Sequence, residues 1–184
     1  MRIVGGREKG RKLLAPRGGK LRITADRVKE SLFDILYDVE GRSFLDLFAG
    51  SGNVGIEALS RVCAPVLFVE SDARHADTIE KNLTQCRFRA DYEIVRRPVE
   101  SAVPMFRKRE DAFDIIFADP PYERALVEKT IQLLERFPIL SEDGIIVLEH
   151  SVKEMCMENK RFMMTDQRQY GDTVLSFLKT ITKE

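Results

Sequence analysis

Apolar runs and amphipathic stretches alternate along the chain from residue 43 onward. The strand-like runs are SFLDLF, PVLFVE, YEIV, FDIIFAD and GIIVLEH. The stretches between them place apolar residues at intervals of three and four, which is typical of helices. Because neighbouring parallel strands need a crossover between them, this alternation predicts a mainly parallel sheet covered by helices. The predicted fold class is therefore α/β.

The end of the chain departs from this alternation. FMMTDQRQY and TVLSFLKTI both read as strands and flank Gly171-Asp172, a pair typical of a two-residue hairpin turn. One of these strands must therefore run antiparallel to the rest. A chain of 184 residues suits one domain with a sizeable core. We expect a single domain over 1–184, with an N-terminal arm over 1–22 and a core over 23–184.

Charge is distributed unevenly, although the formal net charge is zero. Residues 1–30 contain ten Lys/Arg and three acids, a net of +7, so the remainder has −7. A basic segment on an acidic body is typical of proteins that hold a phosphate backbone, and a merely solvated terminus is the alternative. Interleaving of glycine with the cations favours nucleic acid as the partner.

Several classes of protein are disfavoured by composition. The three cysteines are scattered and lack metal-ligand spacing, which indicates a reduced cytoplasmic protein without a metal site. The longest apolar runs are about strand length and cannot cross a bilayer. The N-terminus is basic but has no apolar middle region, so a secretory signal is not expected.

The stretch LDLFAGSGNVG runs from a predicted strand into a predicted helix and contains Gly50-x-Gly52-x-x-Gly55. Glycines at these positions let the backbone approach a ligand closely, as in nucleotide-binding turns. Glu70 ends the next strand, twenty positions after Gly50, where an acid can accept hydrogen bonds from ribose hydroxyls. This spacing fits both NAD and S-adenosylmethionine.

Asp46 distinguishes between these two cofactors. It lies inside the strand upstream of the glycines, where a carboxylate can meet the ammonium of an amino-acid tail. The pyrophosphate of NAD would make an acid here unfavourable. The alternative is that Asp46 caps a backbone turn and that the glycines only permit tight packing. Taken with Glu70, the pattern favours a cofactor.

The stretch ADPPY follows the buried strand FDIIF. Its prolines stiffen the backbone and remove two donors, so that mainly acceptors are presented. The Asp119 carboxylate and the Pro120 carbonyl can accept the two hydrogens of a nucleobase amino group and aim its nitrogen at an electrophilic methyl group. Tyr122 would stack on the base. The alternative is an ordinary turn, which Asp-Pro often begins.

DLFAGSG together with ADPPY resembles the class I S-adenosylmethionine-dependent methyltransferases that act on amino groups of nucleobases. The segments RIVGGREKGRKLLAP and RITADRVKESLFDIL resemble, more specifically, the bacterial small-subunit (16S) rRNA guanine-N2 methyltransferases. The similarity extends over nearly the whole chain. It implies a Rossmann-like fold with a seven-stranded, mostly parallel sheet and an antiparallel C-terminal hairpin strand.

The resemblance also implies roles for individual residues, with S-adenosylmethionine as the cofactor. Cofactor contacts would come from Thr24, Asp46, Phe48, Ala49, Gly50, Gly52, Asn53, Glu70 and Val99. The catalytic group would be Asp119, Pro120 and Tyr122. Contacts to RNA phosphates would come from Arg7, Arg11, Lys12 and Arg22.

Two positions depart from the family pattern. Ile23 stands where the family has a proline, which predicts a less rigid arm. Pro98 stands where the family often has an Asp or Asn that reaches the adenine amino group. Because a proline side chain can neither donate nor accept, the Val99 backbone is expected to recognise adenine instead.

The resulting prediction is methyl transfer to N2 of a guanine in 16S rRNA, free or in an assembling small subunit, by a monomer. One alternative is a DNA adenine-N6 or cytosine-N4 methyltransferase, which the small size of the chain disfavours. Another is a non-catalytic ribosome-assembly factor, which has no need of the acceptors in DPPY. A third, an NAD-dependent dehydrogenase, gives Tyr122 no role.

Overall fold

The structure is a computed structural model that describes residues 1–15, 24–88, 91–121, 126–154, 156 and 159–181. The chain separates into two compact units, Met1–Val99 and Glu100–Glu184. The predicted single domain over 1–184, with an arm over 1–22, therefore stays a prediction.

Unit one contains helices and parallel strands in alternation. Its elements are α1 (Asp26–Leu36), β1 (Phe44–Leu47), α2 (Asn53–Ser60), β2 (Val66–Val69), α3 (Ala73–Cys86) and β3 (Tyr92–Val95). Strand β2 pairs in parallel with both β1 and β3. Every residue of β1 and β2 is buried, which matches their near-continuous apolar sequences. Asp46 is the one polar residue of β1, and it is nevertheless buried, at 1% exposure.

Residues 1–14 fold into a hairpin, here called the N-terminal hairpin. Arg2 and Lys12 form an antiparallel bridge. The backbone N–H of Ile3 donates to Arg11 O at 3.0 Å, and that of Leu13 donates to Met1 O at 3.0 Å. Ile3 and Leu13 are buried in the core, at 0% and 7% exposure. The segment interpreted as a looped arm is thus a packed element over residues 1–14.

Unit two contains the C-terminal strands. Helix α4 (Val99–Lys108) begins at the last residue of unit one and is followed by β4 (Phe113–Ala118), α5 (Leu126–Arg136), β5 (Leu140–Ser151), β6 (Phe162–Tyr170) and β7 (Thr173–Thr180). Strands β4 and β5 are parallel, and β7 is antiparallel to both β5 and β6. Gly171 has φ 61 in the turn between β6 and β7. The predicted C-terminal hairpin and its antiparallel strand are confirmed.

Two local features go beyond the sequence pattern. The stretch GIIVLEH predicted a short strand, whereas β5 begins at Leu140 and has 12 residues. Helix α4 continues through Pro104 as far as Lys108. The length of β5 depends on neighbouring elements, because β5 has β4 on one side and β7 on the other.

Candidate cofactor and substrate site

The turn between β1 and α2 is built from backbone conformations that few residues adopt. Phe48, Gly50 and Gly52 have φ of 63, 56 and 77. Glycine tolerates positive φ, but a phenylalanine there is strained, and such strain collects at functional sites. The turn is held by Ala49 N donating to Val69 O at 2.9 Å and by Gly52 N donating to Ala49 O at 2.8 Å. The backbone is therefore fixed where α2 begins.

Asp46 holds the start of α2 in place. Its Oδ2 accepts a hydrogen bond from the backbone N–H of Gly55 at 2.9 Å. That N–H lies in the first turn of the helix, where amides lack a carbonyl partner within the helix. The capping alternative for Asp46 is therefore present in the structure.

Glu70 links the end of β2 to the glycine turn. Its Oε2 accepts from Gly50 N at 2.8 Å, and its Oε1 accepts from Asp72 N at 2.7 Å. The side chain is 11% exposed, and Nδ1 of His75 lies 3.9 Å from Oε2. Two backbone bonds fix the orientation of the carboxylate, and the remaining lone pairs can accept from ligand hydroxyls.

Gly55 is required by packing. A Cβ at this position would collide with the ring of Phe68, which projects from β2 against α2. The third glycine of the motif thus permits close contact between α2 and β2. For this glycine, the alternative that the glycines serve tight packing is present in the structure. Gly50 and Gly52 differ from it because their positive φ values shape the turn.

Asn53 and Thr24 lie together, but the Asn53 side chain bonds within the protein. Its Oδ1 accepts from Lys29 Nζ at 2.9 Å, and its Nδ2 donates to the backbone carbonyl of Thr24 at 2.9 Å. Both residues are 5% exposed. A cofactor contact from Asn53 would therefore have to come from its backbone. The Asn53 side-chain amide therefore links α2 to Thr24, two residues before α1 begins.

A buried ion pair lies behind this contact. Lys29 Nζ lies 3.4 Å from Glu57 Oε2, and both side chains are 0% exposed. Burial lowers the pKa of Lys29, and Glu57 opposes that shift. Glu57 also accepts from the backbone N–H groups of Val4 and Gly5, at 2.9 and 2.7 Å. The carboxylate therefore ties the N-terminal hairpin to α2.

Asn82, on α3, also holds the N-terminal hairpin, since its side-chain amide bonds to N and O of Leu14 at 2.7 and 3.1 Å. Sequence reasoning missed Lys29, Glu57 and Asn82, although two of them left a signal. Lys29 shares the apolar face of α1 with Leu32, Phe33 and Leu36 at helical spacing. Glu57 is the only charged residue in α2, all of whose residues are buried. Because buried charges are normally paired, each position predicted a partner without identifying it.

Val99 is the first residue of α4 and is 4% exposed. Backbone N–H groups at the start of a helix have no carbonyl partner within it. This position is compatible with the expected backbone contact to adenine, which stays a prediction.

In unit two, Asp119 and Pro120 directly follow β4. Asp119 is half-buried, Pro120 is buried and Pro121 is exposed. The strand ahead of them is buried except at Asp114, which is half-buried. The predicted acceptor segment therefore follows a strand fixed in the core. Tyr122, the third predicted catalytic residue, lies outside the described residues.

Three of the four predicted RNA-contacting residues lie on the N-terminal hairpin and are exposed, namely Arg7, Arg11 and Lys12. The guanidinium of Arg11 forms an ion pair with Glu8 and donates to Gln85 O at 3.4 Å. Arg22 lies outside the described residues.

The described part of the chain contains no group of three or more His, Cys, Asp or Glu side chains that could hold a metal ion. None of its helices combines the length and the apolar character needed to span a membrane.

Known proteins are similar to this chain in sequence. A relative from Bacillus subtilis (strain 168), named "Putative rRNA methyltransferase YlbH", is 38% identical over 182 residues, 97% of this chain and 98% of its own. Ribosomal RNA small subunit methyltransferase D of Escherichia coli (strain K12) is 38% identical over 154 residues, 83% of this chain and 76% of its own.

Solved structures give the same result for the fold. "Putative methyltransferase yhhF" from Escherichia coli superposes with a TM-score of 0.85 at 29% identity, covering 100% of this chain and 99% of its own. A second solved structure, described as "SMU.776, a putative methyltransferase complexed with SAH", has a TM-score of 0.71 at 16% identity and covers 87% of this chain and 50% of its own. That level of identity supports the fold alone.

These similarities and the glycine turn define the class as a methyltransferase of the Rossmann-like class I fold, with a seven-stranded mixed sheet. Within it, the chain belongs to the family described as "Conserved hypothetical protein 95", whose model matches residues 1–179. The predicted fold class and the predicted relationship to small-subunit rRNA methyltransferases are confirmed.

Proposed function

We infer that the protein transfers a methyl group from S-adenosylmethionine to the exocyclic N2 of a guanine in 16S rRNA. The observation behind this inference is the Asp119-Pro120 acceptor pair at the end of a buried strand, in a chain whose relatives are named as rRNA methyltransferases. The methyl donor follows from the class of these relatives and from the glycine turn.

The residues of unit one fit S-adenosylmethionine. Glu70 would accept from the ribose hydroxyls, because two backbone N–H groups hold its carboxylate in one orientation. Asp46 would accept from the ammonium of the methionine end. The turn from Phe48 to Gly52 would contact the cofactor through its backbone, and the Val99 amide would face adenine. When bound, the cofactor supplies an electrophilic methyl group on a sulfonium centre.

The residues after β4 would hold the acceptor. The Asp119 carboxylate and the Pro120 carbonyl would each accept a hydrogen bond from one N–H of the guanine amino group. These two bonds would orient the lone pair of the nitrogen. Positioning of this kind supplies much of the rate enhancement, because the two reactants lose their translational and rotational entropy on binding and not in the reaction step. The nitrogen becomes cationic as it gains the methyl group, and Asp119 stabilises that charge until a proton leaves. Tyr122 would stack on the extruded base.

The RNA would be held through its phosphates. Arg7, Arg11, Lys12 and Arg22 are assigned to these contacts, and exposed guanidinium and ammonium groups bind phosphate well. The substrate would be 16S rRNA or a small subunit during its assembly. The protein is proposed to act as a cytoplasmic monomer.

Labelled S-adenosylmethionine tests the function. The protein is incubated with naked 16S rRNA, with small subunits that lack the modification, or with duplex DNA, and the methyl group is mapped by mass spectrometry. We expect one N2-methylguanine in 16S rRNA. Methyl groups on adenine or cytosine of DNA would support the DNA-modifying alternative. Cofactor binding without transfer to any substrate would support the assembly-factor alternative.

A further inference from the structure

Strand β5 carries a second acid at the level of the predicted acceptor residues. Ala118 of β4 pairs in parallel with Leu148 of β5, so the next residues along the two strands are Asp119 and Glu149. Pro120 favours an extended backbone at Asp119, which continues the pleat of β4. Side chains at matching positions of neighbouring strands project from the same face of the sheet. The Glu149 side chain therefore emerges beside that of Asp119, on a strand about 5 Å away.

The backbone around Glu149 is held on several sides within unit two. Glu149 is 1% exposed and is the antiparallel partner of Leu175 on β7. The ring of the next residue, His150, has Nε2 at 2.8 Å from Ser176 Oγ and Nδ1 at 2.9 Å from Ser151 O. A carbonyl can only accept, so Nδ1 carries a proton, and in the neutral ring Nε2 accepts from the Ser176 hydroxyl. These bonds fix the strand end from which Glu149 projects.

The proposed reaction uses Asp119 but gives Glu149 no role. A buried carboxylate is costly unless donors meet it. Glu149 has an interaction partner within the protein, and a ligand that enters here would exchange with that partner. Two neighbouring carboxylates also repel each other, so a ligand that donates to both of them is favoured. The pair therefore selects a ligand that has adjacent N–H groups.

Guanine is the amino-bearing base that suits two neighbouring acceptors. On its Watson–Crick edge the N1–H lies next to the 2-amino group, so both positions donate. Adenine and cytosine also carry an exocyclic amino group, but the ring nitrogen beside it has a lone pair and no hydrogen. A carboxylate that faces this lone pair is repelled. Enzymes that act on an extruded base read it through hydrogen bonds to this edge.

We propose that Glu149 is the guanine-specificity residue of the acceptor site. Its carboxylate accepts the N1–H of the guanine, while Asp119 and Pro120 accept the hydrogens of the 2-amino group. The proposal rests on the proposed function, because it takes guanine N2 as the atom that is methylated. Glu149 takes no part in the methyl transfer itself. It selects guanine over the other amino-bearing bases and fixes the direction in which the 2-amino group points.

Two RNAs that differ in one base test this role without any methyl transfer. 2-Aminopurine keeps the 2-amino group of guanine but has a lone pair at N1 and no O6. Affinity is measured by fluorescence anisotropy, with S-adenosylhomocysteine present, for a labelled uridine oligonucleotide that carries one central guanine or one central 2-aminopurine. The phosphates of the two RNAs are identical, so the ratio of affinities reports the base alone. We expect the unaltered protein to prefer guanine at least about tenfold.

The variant Glu149→Gln separates the N1 contact from the loss of O6. A glutamine amide can turn its oxygen towards the N1–H of guanine or its NH2 towards the N1 lone pair of 2-aminopurine. We therefore expect the preference for guanine to fall to about twofold or less in this variant. Glu142→Gln, at an exposed position in β5, is the matched control and should keep the full preference.

Equal affinity of the unaltered protein for the two oligonucleotides would overturn the proposal, and so would a preference that survives in Glu149→Gln. The first comparison uses no variant, so it decides the question even where Glu149→Gln does not fold. A preference for guanine in a protein that methylates no RNA would count against the proposed reaction alone. Methylation of guanine N2 by a protein that binds both oligonucleotides equally would count against the role of Glu149 alone.

Discussion

The ammonium of Lys29 lies 3.4 Å from the carboxylate of Glu57, and neither side chain is exposed to solvent. This pair joins three parts of unit one, because Lys29 donates to Arg2 O and to Asn53 Oδ1, while Glu57 accepts from Val4 N and Gly5 N. A pair without these additional bonds would be costly to bury. With them, the start of the chain becomes part of the core of unit one.

Breaking this pair should destabilise the protein strongly. Lys29→Met leaves the buried Glu57 carboxylate with Arg61, at 3.0 Å, as its remaining cation. The loss of the ammonium is therefore expected to cost up to about 3–5 kcal/mol of unfolding free energy. Urea unfolding followed by circular dichroism measures the loss. Lys81→Met, at an exposed position on α3, is the matched control and should change stability by less than about 0.5 kcal/mol. A similar loss in both variants would contradict the role given to Lys29.

Deletion of residues 1–14 should damage the fold as well as RNA binding. Ile3 and Leu13 are buried, and burial of each contributes about 1.5–3 kcal/mol. The deletion also leaves Glu57 and Asn82 without their hairpin partners. We expect a melting temperature many degrees lower, measured by calorimetry. The Arg2→Gln/Lys12→Gln variant should melt close to the unaltered protein. A truncated protein of normal stability would show that the hairpin is not part of the core.

Asp119→Asn should abolish methyl transfer without altering the fold. The amide keeps one acceptor but loses the charge that stabilises the cationic amine, so we expect kcat to fall about 100-fold or more. The dissociation constant of S-adenosylmethionine, measured by calorimetry, should stay the same. The matched control is Asp143→Asn, at an exposed position in β5, which should retain most of the activity. Near-normal turnover by Asp119→Asn would refute its assigned role.

Glu70→Ala should weaken cofactor binding. The change removes the proposed acceptor for the ribose hydroxyls and also frees the amides of Gly50 and Asp72. We expect the dissociation constant of S-adenosylmethionine to rise by at least about tenfold, equivalent to about 1.4 kcal/mol. The exposed residue Glu80 provides the control, since Glu80→Ala should bind normally. Unchanged affinity in Glu70→Ala would argue against a nucleoside site at the end of β2.

Thiol reactivity should distinguish the three cysteines. Cys63 and Cys86 are buried and Cys156 is half-buried, so one thiol should react quickly with a disulfide reagent in the native protein.

Burial raises the pKa of Cys86 above its ordinary value of 9.0. The unfolded state therefore loses this proton first, and the stability that Cys86 contributes declines as pH rises through 9 towards the folded-state pKa.

Comparing urea unfolding of the unaltered protein with that of Cys86→Ala isolates this pH dependence. The difference in unfolding free energy between the two proteins should be constant below pH 8 and change above pH 9. A difference that does not vary with pH would contradict the raised pKa of Cys86.

The order of elements and the two candidate site segments were predictable from the sequence. Alternation of apolar runs and amphipathic stretches predicts parallel strands and helices, because each periodicity depends only on nearby residues. The glycines at 50 and 52 and the prolines at 120 and 121 likewise restrict their own backbone. For this reason the strands that carry or precede Asp46, Glu70 and Asp119 could be identified from the sequence.

Only the tertiary structure decided which polar side chains are partners. Glu57 meets Val4 and Gly5 across 53 and 52 positions, and Asn82 meets Leu14 across 68. Such pairings depend on how α1, α2 and α3 pack, which no local pattern encodes. Residues 1–14 of the segment interpreted as a basic arm therefore proved to form a packed hairpin, and the Asn53 side chain proved to bond within the protein. Backbone conformation depends mainly on neighbouring residues and can be predicted from them, whereas the partner of a buried charge depends on the tertiary packing.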